Sequence, residues 1–307
     1  MTKFALTGRF IGSLDYYAEI TEEQFHQIRI ARANLFRILS IEDKFNLLLE
    51  NYAEFEQELL NSSINAMLFQ DEDNWLSGMD KFHLINRRLI NLLTTFRLYT
   101  DQVFHDIHSI YGEKSQQKEI IENQTKLEYD SENKPGYRVM AAIRNYVQHR
   151  ELAIYSVGYL ARDVKLDEVS QVTNRKYTIT VNINIKSLED NGFKKKIVDE
   201  LKKYGDLVNI IPLIRQCLDS IGEIHSKLRD LIKSNVSDWD ETIQETIKQY
   251  NDYTGFPEGL SLVKLDDLGT MLESYLIFGH FIKRRQFLEN KNKYITNYSN
   301  RFISSEA

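Results

Sequence analysis

A chain of 307 residues with 42% hydrophobic side chains is long enough to bury its own core, as one large domain or two small ones, without covalent cross-links. Only three prolines and thirteen glycines exclude a β-sandwich with a turn every ~10 residues and point to long, mostly helical elements. The lone Cys217 excludes a disulfide framework and a thiolate zinc site and suits a reducing compartment. A formal net charge of −6 excludes an all-over nucleic-acid coat but not a local basic patch.

Residues 1–20 lack the basic start and apolar block of a signal peptide, and no window holds the roughly 18 apolar residues of a membrane span. A cytoplasmic protein with no membrane partner is expected. A short strand is expected at residues 4–11. Thr21-Glu22-Glu23-Gln24 is a capping-box pattern, because Thr and Gln three apart can each bond the other's backbone N–H. It should open a helix that Phe25, Ile28, Leu35 and Ile38 carry to about residue 39, with Ser40 capping a second helix that runs to about residue 68. A third helix of close to forty residues is expected over 74–111 and needs packed neighbours along its whole length. Its Asp101, His105 and His108 share one face, but no fourth ligand is indicated and no metal is assigned. A polar helix over 115–130 follows, and Asn133-Lys134-Pro135-Gly136 breaks the chain before the next one.

Beyond residue 151 the period changes. Residues 152–160 are β-like, and in 177–185 Tyr177, Ile179, Val181, Ile183 and Ile185 alternate with Thr178, Thr180, Asn182 and Asn184, the mark of a half-buried strand. The two runs suggest an antiparallel hairpin whose basic loop, Asp163 to Lys176, reaches a substrate or partner. Helices are then expected over 193–204, from 206 or 209 to 233, over 238–253, and over 268–293, with a turn at Thr254-Gly255-Phe256-Pro257. The expected architecture is a mainly α bundle of long helices with an inserted antiparallel β-hairpin. It is organised as an N-terminal extension (1–40), a helical core (41–151), the hairpin (152–190) and C-terminal helices packed on the core (191–307), one domain overall.

The informative stretch is Val139 to Arg150. At 100° per residue, Val139, Met140, Ile143, Tyr146 and Val147 gather on one arc of a helix, and Arg144, Asn145, Gln148 and His149 fill the opposite one. One arc packs and the other is equipped. Between Lys134 and Lys176, eight basic side chains meet four acidic ones in an otherwise acidic protein.

Arg144-Asn145-Tyr146-Val147-Gln148-His149 resembles the Arg-x4-His signature of the HEPN superfamily, all-helical proteins of bacterial antiphage and toxin systems in which Asn is favoured after the Arg. The resemblance covers the helix and the bundle from Ile41 to Arg150. It implies a ribonuclease built as a homodimer with a composite site of paired motifs, restrained by an antitoxin or another defence-system protein. The chemistry stands without the family. RNA is cleaved without a metal when a base takes the 2′-hydroxyl proton, that oxygen attacks the adjacent phosphorus, and a cation stabilises the charge that develops. His149 has the right chemistry for the base and Arg144 for the phosphate, while Asn145 is placed to orient the imidazole or bond phosphate. Gln148, Arg150, Tyr146 and Arg138 are candidates for substrate contact. No cofactor is assigned, since no Gly-rich strand-to-helix loop is present. Five positions separate Arg144 from His149 by about 140° around the axis, so one helix holds them at two edges of a face. A second copy across a two-fold axis would bring two of each into one cleft, with small Ala141 letting the backbones approach. The competing expectation is a non-catalytic bundle that uses this face to hold RNA or a partner chain.

Overall fold

The computed structural model describes residues 2–8, 17–69, 75–165, 173–190, 192–254 and 259–301. In chain order these form β1 (Lys3–Gly8), β2 (Tyr17–Glu19), α1 (Glu22–Phe69), α2 (Trp75–Tyr111), α3 (Gln116–Asp130), α4 (Gly136–His149), β3 (Ser156–Lys165), β4 (Thr173–Asn184), α5 (Ile185–Asp190), α6 (Lys195–Leu201), β5 (Leu207–Asn209), α7 (Ile211–Thr254), β6 (Leu260–Leu265), β7 (Met271–Leu276) and α8 (His280–Lys291). The fold is mainly α with two small antiparallel sheets. Among the described residues no helix is long and apolar enough to cross a membrane.

The capping box forms as read: Thr21 N–H donates to Gln24 Oε1 at 2.9 Å and Gln24 N–H to Thr21 Oγ1 at 3.1 Å. The break expected at Ser40 is absent. Buried Ile38, Ile41, Phe45 and Leu48 continue one stripe through that point, and a serine inside a helix costs only a few tenths of a kcal/mol, so packing overrides its capping tendency. The break expected between residues 233 and 238 is absent for the same reason. Leu228, Ile232, Val236 and Ile243 are all buried, and α7 runs through Ser234-Asn235 without interruption.

The helix expected over 268–293 is also corrected. Leu268 sits 91% exposed at the tip of a β6–β7 hairpin, where Asp266 Oδ1 accepts from Leu268 N–H at 2.9 Å and Thr270 N–H at 2.7 Å and Gly269 takes φ +80. An aspartate that bonds the backbone two and four residues on, followed by a left-handed glycine, makes a turn rather than a helix start. Only residues 280–291 are helical there. The first hairpin exists but is longer than expected, its strands paired from Ser156↔Asn182 to Lys165↔Thr173, so Asp163–Lys165 and Thr173–Lys176 are strand rather than loop. It gains a third strand, β5, against β4. The tip of its loop and the turn at 255–257 lie outside the described residues.

Contacts divide the chain into two units, Met1–Lys44 with Gln102–Lys118 and Lys227–Lys293, and Phe45–Asp101 with Glu119–Ser226 and Tyr294–Ala307. The first holds the four-stranded sheet, ordered β2-β1-β6-β7. β6 is buried on both faces, which is why it reads as an apolar run without alternation. A groove of about 350 Å³ in this unit is lined by Glu42, Arg229, Asp240, Arg285 and Glu289 among others. Its arginines are engaged: Arg229 donates to both Glu42 oxygens at 2.8 and 2.6 Å, and buried Arg285 bonds Asp240 and, at 2.5 Å, Glu289. Burial pushes the Asp240 and Glu289 carboxyls up from their ordinary range.

The second unit holds the motif helix. Its core joins Phe45, Leu48, Phe55, Leu89, Leu93 and Phe96 to Ile143, Ile214, Leu218 and Ile221. Within it fully buried His225 stacks on Phe45 at 3.8 Å, its Nδ1 2.8 Å from the Tyr99 hydroxyl, which makes it a core histidine with a satisfied ring nitrogen.

Candidate functional site

α4 starts at the Pro135-Gly136 break. Pro135 occupies the N-cap with φ −69, the angle its ring fixes. Gly136 then allows very close helix approach: a Cβ there would lie 2.2 Å from the Leu213 carbonyl oxygen and 2.8 Å from the Cys217 nitrogen of α7, and its N–H donates to Gln216 Oε1 at 3.2 Å. With its start wedged against α7, Gly136 to Met140, Ala142, Ile143 and Tyr146 are buried. The packing arc is the one the 100° projection gave.

Two of the residues expected to touch substrate are engaged in this packing. Arg138, 8% exposed, meets Glu200 of α6 through Nε at 2.9 Å and through Nη2, and its Nη1 donates to the carbonyls of Tyr129 at 3.2 Å and of Ser131. The bonds to Glu200 raise its already high pKa further. Tyr146 is buried, its hydroxyl donating to Glu151 Oε1 at 2.7 Å and its ring set edge-on to Phe193 at 5.6 Å. Both fix α4 in place, and neither faces solvent.

The opposite arc is open. Asn145, Gln148, His149 and Arg150 are exposed, and Arg144 and Ala141 are half-buried. Arg144 Nη1 donates to Asn145 Oδ1 at 3.0 Å, so Asn145 steadies the guanidinium rather than the imidazole. Arg144 Nε is enclosed without a hydrogen-bond partner. Gln148, His149 and Arg150 have no side-chain hydrogen bond or ion pair among the described residues. The last turn is closed by Arg150 N–H to Tyr146 O at 2.9 Å, which presents His149 at the helix end. Arg144 and His149 stand about 7.5 Å apart along the axis.

Three lysines were missed by the sequence reading, which took residues 193–204 only as a short helix. Lys194, Lys195 and Lys196 are exposed at the start of α6, which Phe193 and Glu200 anchor on α4 at Tyr146 and Arg138. The signal is the uninterrupted Lys-Lys-Lys run, which lies outside the basic window from Lys134 to Lys176. Elsewhere, Asp101 of the imagined metal face is bonded to Arg97 at 2.6 Å, and among the described residues no group of three His, Cys, Asp or Glu side chains is arranged to hold a metal ion. Cys217 is buried against the back of α4, and burial pushes its thiol far above the ordinary value, so it is not a nucleophile. Compared with family models, curated proteins and solved structures, the chain matches none.

Proposed function

We propose that the chain is a metal-independent endoribonuclease of HEPN type, acting as a homodimer in bacterial defence or a toxin–antitoxin pair. One observation carries the reading: on a helix otherwise buried and bonded, the arc bearing Arg144, Asn145 and His149 is left open. A ring nitrogen of His149 takes the 2′-hydroxyl proton; the freed oxygen attacks phosphorus, forming the cyclic phosphate; and the proton returns to the leaving 5′-oxygen. Arg144, its fork steadied by Asn145, stabilises the charge that gathers on the phosphate oxygens. A second copy of the same arc supplies the partner His or Arg that the separation along one helix keeps out of reach.

The competing reading, an RNA- or protein-holding module without catalysis, has its own support: nothing among the described residues orients the His149 ring, and catalytic bases are ordinarily held by a second group. RNA cleavage with a chelator present separates the two. The nuclease reading expects chelator-resistant cutting that falls by about 10²–10⁴-fold in both Arg144→Ala and His149→Ala. An equally active His149→Ala protein would sink it, and RNA bound but never cut by the wild type would favour the module.

A further inference from the structure

We propose that Lys194, Lys195 and Lys196, together with Arg150, form a phosphate-tracking platform that delivers a single RNA strand to the open end of α4. The inference deepens the ribonuclease reading by naming the form of its substrate and the side from which it enters.

α6 is pinned to α4 at two levels. Glu200, near the end of α6, holds Arg138 in the first turn of α4, while Phe193, just before α6, packs on Tyr146 in the last turn. The two helices therefore run antiparallel, and residues 194–196, between the two anchors, stand level with the turn of α4 that carries Arg144 and Asn145, while Gly192, before Phe193, lies toward Arg150. Gly192 confirms the proximity: the Arg150 Nη2 lies 3.8 Å from where a Cβ on Gly192 would be.

The cations here outnumber the carboxylates that are not already paired with another cation. Two nearby carboxylates are paired with other cations, Glu200 with Arg138 and Glu189 with Lys202 at 2.8 Å, while Glu151 accepts from the neutral Tyr146 hydroxyl and keeps its charge. Asp190 and Asp199 remain exposed, against the four cations of the platform and Arg144. Lys194, Lys195, Lys196 and Arg150 have no ion pair among the described residues. In a protein of net charge −6, such a cluster is a local attractor for a polyanion.

Lysine ammonium groups on flexible stems follow a phosphate backbone without reading bases, which suits a path into a site rather than the site itself. Tyr155, 58% exposed and five residues beyond Arg150, offers a ring face on which an unpaired base can stack. That aromatic favours a single strand over a duplex, whose bases are already stacked.

The test is the salt dependence of binding to a labelled oligouridylate of about 20 nucleotides, from roughly 50 to 200 mM salt. The full chain is compared with a variant carrying Lys194→Gln, Lys195→Gln and Lys196→Gln, and with each single substitution. Each lost contact should flatten the log–log slope by about 0.7, so the triple variant by about 2. At the lower salt the triple variant should bind at least ~10-fold more weakly. Lys202→Gln, whose ammonium is already paired, should leave the slope unchanged. An unaltered slope and affinity in the triple variant, or equal binding of a duplex by the wild type, would overturn the platform. Cleavage is scored separately. Flattened binding with no cleavage by the wild type keeps the platform and removes the nuclease, whereas cleavage with unaltered triple-variant binding does the reverse.

Discussion

The two halves of α4 are built from similar residues and put to opposite uses. In the first half, Arg138 bonds a carboxylate and two carbonyls, and Gly136 brings the backbone against α7. In the second, Arg144 is held only by its neighbour Asn145, and Gln148, His149 and Arg150 face solvent. An arginine in a sequence does not announce which kind it is. The difference lies in whether a partner carboxylate arrives from elsewhere in the chain, and for Arg138 that partner is Glu200, 62 residues away.

The largest effect that tests this contrast is expected at Arg138. Arg138→Gln removes the counter-charge from Glu200, whose side chain is 19% exposed, and strips donors from two carbonyls. A buried pair broken on one side costs about 3 kcal/mol or more, read as a lower denaturant midpoint in equilibrium unfolding. A loss below ~1 kcal/mol would show that Arg138 is free enough to serve substrate after all.

A smaller loss, about 2 kcal/mol, is expected from Gly136→Ala, because the new methyl group meets backbone atoms of α7 that cannot rotate away. Cys217 provides an internal reporter, being the only cysteine and lying directly behind Gly136. In the native protein its buried, protonated thiol should resist alkylation. Gly136→Ala should speed labelling by loosening the α4–α7 contact, while His149→Ala should not. Equal labelling rates in the two variants would erase the distinction between the halves.

How much of this was legible follows from where each signal resides. The arc assignment of α4 came from local periodicity, and burial at Val139, Met140, Ile143 and Tyr146 agrees with it because a helix face is fixed by sequence spacing alone. The capping box at Thr21 and the alternating strand β4 were equally local. What failed was non-local. Ser40 and the segment 234–237 read as breaks because the packing that carries α1 and α7 through them involves distant residues. β6 lacked alternation because both its faces are covered. Arg138 reads as a surface cation for want of Glu200, and what ties Lys194–Lys196 to α4 is the long-range contact of Phe193 with Tyr146.

The smallest expected effect on stability is the most informative about function. Arg144→Gln removes a guanidinium whose Nε is enclosed without a partner and whose one bond joins it to its exposed neighbour. An unpaired enclosed donor costs about 1–3 kcal/mol to desolvate, so its removal offsets whatever the Asn145 contact contributes. The net change should stay within ~0.5 kcal/mol, or favour the folded state. A residue kept for folding does not behave this way, whereas one that waits for an anion does, because the phosphate supplies the acceptor that the free protein lacks. If Arg144→Gln instead costs ~2 kcal/mol, close to the Gly136 effect, Arg144 belongs with Arg138 as a packing arginine and the open arc loses its phosphate-binding member. If stability holds while chelator-resistant cleavage disappears, the two halves of α4 differ as argued: one fixes the helix in place and the other acts on the substrate.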